Sequence, residues 1–341
     1  MVATPAPAAH ATDDLPRRPV DWLPMALVPA VALIAIPFIG SPSTWLTLTI
    51  AGLAMGVIIF MISSGLMLVF GLMDVMNFGH GAFITLGAYV GLTIFAPLSV
   101  WIDSSNLALN LLVLTLGLLA AVVVAGAVGL VFDRVLIRPV YGNHLKQILI
   151  TMGGFIVVEQ LIRAIWGAEM VTLNIPAALR GSLFIGDAAI ERYRILALVV
   201  GAGVFAAMLL ILTKTRIGLQ IRAGVEDRDM LEAMGYRTRH LFVAVFVAGA
   251  MLAGMGGLMW GLYQQNFTPA IGSQANVLIF IVIIIGGLGS TTGCMIAALL
   301  VGLTTNYTGF AEPKIALFSN ILLMLLVLLW RPQGLYAVVN R

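Results

Sequence analysis

Residues 45–70 have the sequence WLTLTIAGLAMGVIIFMISSGLMLVF and contain no charged side chain. A helix of this length exceeds the ~20 apolar residues that cross the hydrocarbon core of a bilayer. The whole chain is similar, because 61% of its 341 residues are hydrophobic and only 10% are charged. Soluble domains carry about 25% charged residues. The composition therefore excludes a water-soluble globule and predicts an all-α, polytopic transmembrane helical bundle.

Apolar runs separated by polar residues predict about ten spans within one transmembrane domain. The spans lie near residues 24–40, 45–70, 76–96, 108–132, 147–166, 195–213, 241–262, 276–290, 294–310 and 315–330. Residues 1–23 are rich in Ala and Pro and are predicted to form a disordered tail. Residues 24–335 form the transmembrane domain, and residues 336–341 form a short C-terminal tail.

The distribution of Lys and Arg predicts the orientation, because cytoplasmic loops of membrane proteins are enriched in these residues. With ten spans and a cytoplasmic N-terminus, the inner segments hold 13 Lys and Arg, and the outer segments hold 4. The loop 214–240 alone holds six of them. The pattern predicts that this loop and both termini face the cytoplasm.

Two regions do not fit uninterrupted spans. Residues 44–96 hold about a dozen residues more than two crossings of ~20 residues need, and the surplus falls on 71–81, GLMDVMNFGHG. Residues 276–310 are cut by 286–293, GGLGSTTG, into two short pieces. Broken helices at membrane depth persist only where protein or a water-filled cavity satisfies the backbone. In transporters such breaks often mark the substrate path at matching places in two inverted halves, so we expect a five-plus-five inverted repeat.

Polar side chains and glycines make these breaks the candidate substrate path. Asp74, Asn77 and His80 follow one another at intervals of three residues, and ionisable groups at membrane depth are functional candidates. The alternative is structural: Asp74 and Asn77 cap the next helix, and His80 is hydrogen-bonded within the bundle. The candidates in the two breaks are Asn77, Gly79, His80, Gly81, Gly286, Gly287 and Gly289.

Glu159 and Arg163 lie four residues apart in the fifth predicted span, with the acid in the favourable N-terminal position. An unpaired charge in lipid costs several kcal/mol, so we expect the two side chains to face the bundle and pair. The pair is either purely structural, or Glu159 also contacts the ammonium group of a substrate on the path.

The middle of loop 214–240, Val225–Met234, predicts a short amphipathic helix that ends at Gly235. A helix of this kind suits docking in a groove of another protein. The alternative is a surface helix held on the anionic inner leaflet by its arginines.

Other motifs limit the function. The chain has no G-x-x-x-x-G-K-[ST] phosphate loop, no His/Cys cluster and no G-x-S-x-G elbow. We therefore expect a protein that is not an enzyme, without a metal site and without a cofactor of its own. The small residues of 249–257, GAMLAGMGG, predict a helix-packing surface.

Four motifs, in this order, resemble the LivH/LivM permease family of branched-chain amino-acid ABC importers, and the LivH type more than the LivM type. The first two are Asn77-Phe-Gly-His-Gly-Ala with Leu86-Gly-Ala-Tyr89, and Arg216-Ile-Gly-Leu through Ala233-Met-Gly235. The others are the glycine motif 286–293 and the closing Arg331-Pro-Gln-Gly-Leu335. The long N-terminal tail departs from the family pattern.

The resemblance implies an importer permease of about ten helices in the bacterial cytoplasmic (inner) membrane. Its partners would be the lipid bilayer, a second permease of the LivM type, two cytoplasmic ATPases that bind ATP and Mg²⁺, and a substrate-binding protein, with no nucleic acid. The implied ATPase-coupling residues are Glu226, Asp227, Arg228, Asp229, Glu232, Ala233 and Gly235.

The substrate implied by the resemblance is a branched-chain or other small apolar amino acid. Relatives in the family also handle urea, short amides or aromatic acids. A different class of protein stays open from the residues alone: a self-sufficient, ion-coupled secondary carrier with Asp74 or Glu159 as its proton or cation site.

Overall fold

The computed structural model describes residues 22–73, 75–173, 175–226, 228–236 and 238–336. Almost all of the two predicted tails lies outside these ranges, as do Asp74 and Asp227. The helices in chain order are α1 (Leu23–Ile34), α2 (Ile36–Ile39), α3 (Pro42–Met73), α4 (His80–Phe95), α5 (Ser99–Ile102), α6 (Leu107–Phe132), α7 (His144–Trp166), α8 (Arg192–Lys214), α9 (Arg216–Glu226), α10 (Arg228–Ala233), α11 (Thr238–Gln264), α12 (Ile271–Gly286), α13 (Thr291–Ala311) and α14 (Ala316–Trp330). The short strands are β1 (Val171–Thr172), β2 (Ser182–Ile185), β3 (Ala188–Glu191) and β4 (Asn266–Phe267).

Every predicted span coincides with a helix, but the helices differ in length. Among the described residues, seven segments are long and apolar enough to cross a membrane: Pro42–Gly71, His80–Ile102, Leu107–Val140, His144–Trp166, Arg192–Lys214, Thr238–Gln264 and Thr291–Ala311. The first, eighth and tenth predicted spans are the shorter apolar helices Leu23–Ile39, Ile271–Gly286 and Phe318–Trp330. The chain is a multi-pass helical membrane protein, and its described residues form seven apolar helices of spanning length and three shorter apolar helices of 10–17 residues.

Contacts between segments distant in sequence define one end of the bundle. The Tyr141 hydroxyl donates to the carbonyl oxygen of Met73 at 3.1 Å, and the Tyr141 ring stacks on Phe242. The backbone N–H of Leu335 donates to the carbonyl oxygen of Ile285 at 2.8 Å. We name this the coupling-loop end; it holds the described parts of 71–76, 133–143, 214–240, 287–290 and 331–336.

The opposite end of the bundle is tied together by polar side chains and strands. Arg180 forms an ion pair with Asp103 at 2.9 Å, and the N–H of Ala178 donates to Asn110 Oδ1 at 2.7 Å. Strand β1 pairs antiparallel with β4, and β2 pairs antiparallel with β3. The ion pair and the Asn110 hydrogen bond join the long connection between α7 and α8 to the start of α6. The β1–β4 pairing joins it to the connection between α11 and α12.

Glycines bring the central helices into backbone contact. A Cβ on Gly65 of α3 would lie 2.4 Å from the carbonyl oxygen of Gly249 of α11. A Cβ on Gly87 of α4 would lie 2.1 Å from the carbonyl oxygen of Gly254. Small residues permit this approach between helices in a membrane, so the predicted packing role of 249–257 is confirmed.

Candidate functional site

The first predicted break is a non-helical segment, residues 75–79, between α3 and α4. Side chains of α7 accept hydrogen bonds from two of its backbone N–H groups. The N–H of Met76 donates to Gln147 Oε1, and the N–H of Phe78 donates to Thr151 Oγ1, both at 3.2 Å. Because Gln147 and Thr151 are buried, the protein itself supplies the partners that a broken helix requires inside a membrane.

The break ends deep inside the bundle. His80, the first residue of α4, places its Nε2 3.0 Å from the carbonyl oxygen of Ile62 in α3. Ile62 precedes Met73, the end of α3, by 11 residues, which is ~16 Å along a helix. This distance is about half of a ~30 Å hydrocarbon core. Helix α4 therefore begins near the middle of the bundle, and His80 is hydrogen-bonded there.

Asn77 is buried without filling its hydrogen-bonding capacity. Its side chain is 1% exposed, and its Oδ1 accepts the N–H of Gly79 at 3.0 Å. Gly79 is the N-cap residue of α4, and no side chain of the described residues caps this helix. The hydrogen bond of Asn77 therefore stabilises the turn before α4, and Asn77 does not cap α4 as predicted. Among the described residues, the Asn77 Nδ2 has no hydrogen-bond partner.

A second amide reaches the same place from α12. Asn276 Nδ2 donates to the carbonyl oxygen of Phe78 at 3.5 Å, and would lie 2.8 Å from a Cβ on Gly81. Its Oδ1 is buried and has no hydrogen-bond partner in the described part of the chain. One donor and one acceptor thus stand unpaired beside the start of α4.

Helices α4 and α12 meet at their N-terminal ends in a reciprocal contact. Gly81 and Gly272 are each the second residue of their helix. A Cβ on Gly272 would lie 2.1 Å from the Gly81 carbonyl oxygen, and a Cβ on Gly81 would lie 2.9 Å from that of Gly272. Thr85, four residues after Gly81, accepts the N–H of Gly272. Asn276, four residues after Gly272, lies beside Gly81. The contact is reciprocal between the third and eighth predicted spans, and the five-plus-five inverted repeat stays a prediction.

The structure corrects the position of the second break. Helix α12 begins at the level of Gly81. Residues 265–270 lead to this point from the end of the bundle opposite the coupling-loop end, and Tyr89 Oη donates to the carbonyl oxygen of Phe267 at 3.5 Å. Residues 287–290, expected to interrupt the chain at membrane depth, form a turn at the coupling-loop end instead. The N–H of Tyr336 donates to the carbonyl oxygen of Gly286 at 3.2 Å. The turn needs Gly287 and Gly289, whose φ angles are +91° and +81°.

Glu159 and Arg163 form the predicted ion pair on α7. The Glu159 side chain is 14% exposed and that of Arg163 is 41% exposed. Thr151 lies beside the break, and Glu159 lies eight residues further along the same helix, ~12 Å nearer the opposite end.

The predicted docking helix ends where expected but begins earlier. On either side of residue 227, the described residues are helical over α9 and α10, so the helical part of the loop begins at Arg216 rather than at Val225. Gly235 has a φ of +85°. Its N–H donates to the carbonyl oxygen of Glu232 at 2.9 Å, and that of Tyr236 donates to Leu231 at 3.3 Å. This is a Schellman ending, which glycine favours.

Of the other predicted coupling residues, Ala233 closes α10 and Glu232 accepts a hydrogen bond from the Thr238 hydroxyl at the start of α11. The backbones of Glu226, Arg228 and Asp229 lie in α9 and α10. Helices α9 and α10 with residues 234–236 are named the docking segment below.

A cavity of about 320 Å³ lies between Glu232 of the docking segment and Met73 at the end of α3. Its wall includes Glu232, Arg239, the Asp133–Arg138 ion pair of 2.9 Å, and Tyr141. Asp133 begins a π-helical turn over 133–137 that continues α6. Tyr141 bridges the two regions, because it contacts both Phe242 of α11 and the last residue of α3.

Sequence reasoning missed four residues of this site. Gln147, Thr151 and Asn276 were polar side chains within predicted apolar spans, and that contrast was the available signal. No local pattern marked Tyr141, since its role depends on contacts with α3 and α11.

Breaks at membrane depth with buried amides, together with a charged docking segment at one end, define a membrane permease. The chain belongs to the family described as the permease component of branched-chain amino acid transport systems, which matches residues 48–330. It is therefore a transport permease.

The chain is similar to LivH of Escherichia coli (strain K12), a high-affinity branched-chain amino acid transport permease, with 28% identity over 295 residues, 83% of this chain and 92% of LivH. BraD of Pseudomonas aeruginosa is also 28% identical over 295 residues, 83% of this chain and 93% of BraD. LivM of Escherichia coli (strain K12) is 27% identical over 112 residues, 32% of this chain and 26% of LivM. No solved structure matches.

Proposed function

We propose that this chain is one permease half of an ATP-driven importer for branched-chain or other small apolar amino acids. The observation that carries the proposal is the family match over 48–330, which includes both helices that begin inside the bundle. Residues 75–102 and 241–311 contain no Asp, Glu, Lys or Arg. A path without net charge suits a zwitterion with an apolar side chain, because an unpaired ionic substrate would pay a large desolvation cost there.

The proposed partners follow from the two ends of the bundle. The docking segment, with Glu226, Asp227, Arg228, Asp229, Glu232, Ala233 and Gly235, binds one of two cytoplasmic ATPases, which hold the ATP and Mg²⁺. The opposite end receives a substrate-binding protein. A second permease, of the LivM type, completes the path. The chain lies in the bacterial inner membrane with both termini in the cytoplasm.

The proposed path runs from Glu159 past the first break. Glu159 contacts the ammonium group of an incoming substrate, and Asn77, Gly79, His80 and Gly81 line the path at mid-depth. The glycines Gly286, Gly287 and Gly289 form its border at the coupling-loop end.

Coupling in this proposal is mechanical. Nucleotide binding by the ATPases draws the docking segments of the two permeases together, and the bundle rearranges to expose the path to the other side. Tyr141 transmits the movement, since it contacts Phe242 near the docking segment and Met73 at the break.

The test is uptake of radiolabelled leucine by proteoliposomes that contain the permease with its ATPases and binding protein. We expect leucine uptake only when ATP is present on the side of the membrane where the ATPases bind. We expect urea, acetamide and phenylalanine to be taken up less than leucine. The permease alone under a proton or sodium gradient should move nothing. Gradient-driven uptake by the permease alone, or uptake of urea in preference to leucine, would overturn the proposal.

A further inference from the structure

We infer that the facing N-terminal ends of α4 and α12, with Asn77 and Asn276, form a mid-membrane site for the carboxylate and ammonium groups of an amino-acid zwitterion. This inference rests on the proposed function and deepens it, because it assigns each charged group of the substrate to a place on this chain.

The first argument is electrostatic. The N-terminal end of a helix carries about half a positive charge. The N-terminal ends of α4 and α12 lie side by side at the contact of Gly81 and Gly272 and overlap by about one turn, because Thr85 reaches Gly272 and Asn276 reaches Gly81. Like ends repel in a medium of low polarity, so a carboxylate between them relieves the repulsion. The N-cap residues of the two helices, Gly79 and Ala270, form no side-chain cap in the described structure. First-turn N–H groups, including that of Gly272 once it leaves Thr85, can therefore bind an anion.

The second argument is the pair of unsatisfied amides. Asn77 is 1% exposed, and its Nδ2 is a donor without a partner among the described residues. Its Oδ1 accepts from Gly79, the residue before α4, so the amide lies at the N-terminal end of that helix. Burying a polar group without a partner costs ~1–3 kcal/mol. An unpaired donor placed there fits a carboxylate oxygen.

The amide on the other side supplies the complementary group. Asn276 Nδ2 is used by the Phe78 carbonyl oxygen, so Asn276 Oδ1 is the atom left without a partner in the described structure. An acceptor in this position fits the substrate ammonium. The described site has one unpaired donor, one unpaired acceptor and no charged side chain, which matches a net-neutral zwitterion and neither a cation nor an anion.

The site is closed in this structure. The backbones at Gly81 and Gly272 touch, and the hydroxyl of Thr85 accepts the N–H of Gly272 at 3.1 Å. Substrate therefore enters when α12 moves away from α4, and the same movement frees the N–H of Gly272 for the carboxylate.

Substitution of each amide by its isosteric acid tests the assignment. In proteoliposomes with the complete transporter, Asn77→Asp should lower leucine uptake more than tenfold, because the new carboxylate repels the substrate carboxylate. Asp would still accept the N–H of Gly79. Asn276→Asp should lower uptake at least threefold less than Asn77→Asp does, because the new carboxylate attracts the ammonium group instead of repelling the carboxylate. Asn276→Leu, which has a similar volume and no acceptor, should lower uptake more than tenfold.

Asn320→Asp is the matched control. Asn320 of α14 is fully buried and its Oδ1 also lacks a partner among the described residues, so this variant reports the general effect of a buried acid away from the site. Equal effects of Asn77→Asp and Asn276→Asp, or wild-type uptake by Asn276→Leu, would overturn the inference. Failure of the wild-type transporter to move any amino acid would instead overturn the proposed function.

Discussion

A Cβ atom on Gly71 would lie 2.4 Å from the Cα of Gly289, so the end of α3 and the turn between α12 and α13 touch through their backbones. Both residues belong to breaks predicted from the sequence. The contact shows that these two segments, more than 200 residues apart along the chain, meet at the coupling-loop end. A movement of one therefore acts directly on the other.

Gly71→Ala should destabilise the protein, because the added methyl group has no space beside Gly289. Overpacking of this kind costs ~1–3 kcal/mol, and we expect a lower thermal unfolding temperature of the detergent-solubilised protein. Gly153→Ala on α7 is the control, since a Cβ there meets nothing within 4 Å. Equal unfolding temperatures for the two variants would contradict the close contact.

Thr151→Val should weaken the first break. Valine keeps the shape of threonine but removes the acceptor for the N–H of Phe78, and an unsatisfied buried donor costs ~1–3 kcal/mol. Thr151→Ser retains the hydroxyl and should behave like wild type. Thermal unfolding measures the difference, and a Val variant as stable as the Ser variant would show that Thr151 does not support the break.

Tyr141→Phe should reduce the coupling of ATP hydrolysis to transport. The variant keeps the ring against Phe242 and loses the hydroxyl that donates to Met73. One such hydrogen bond contributes ~1 kcal/mol, so we expect about fivefold fewer substrate molecules moved per ATP hydrolysed, with ATPase activity retained. Parallel uptake and phosphate-release assays give this ratio, and an unchanged ratio would exclude Tyr141 from coupling.

Gly235→Ala should weaken binding of the ATPase to the docking segment. The φ of +85° at Gly235 is strained for alanine by roughly 1 kcal/mol, so the Schellman ending of α10 would loosen. Gly235→Asn is the control, because asparagine accepts this conformation more readily. Co-purification of the ATPase with each variant measures binding, and equal recovery with Ala, Asn and wild type would contradict the prediction.

Glu159→Gln should slow uptake at low substrate concentration if Glu159 receives the substrate ammonium. The substitution removes the charge that pairs with Arg163 while keeping the shape of the side chain. We expect an increased KM for leucine uptake with little change at saturation. Wild-type kinetics in a stably folded Gln variant would leave Glu159 with a structural role alone.

The sequence by itself determined the helices and the docking loop. Hydropathy places apolar helices wherever runs of apolar residues are long enough, because burial in lipid depends on the local segment. The glycine at 235 predicts a helix ending, since a left-handed backbone favours that residue. The ion pair of Glu159 and Arg163 likewise follows from a four-residue spacing on one helix.

Only the tertiary structure decided which break lies at membrane depth. The segment 75–79 enters the bundle because Gln147 and Thr151 of α7 satisfy its backbone, and no property of the segment itself shows that these partners exist. The glycine-containing segment 287–290 was also predicted to lie at membrane depth, but it is a turn at the coupling-loop end. The depth of a break depends on hydrogen-bond partners from helices far away in sequence, so hydropathy, a property of each segment alone, cannot specify it.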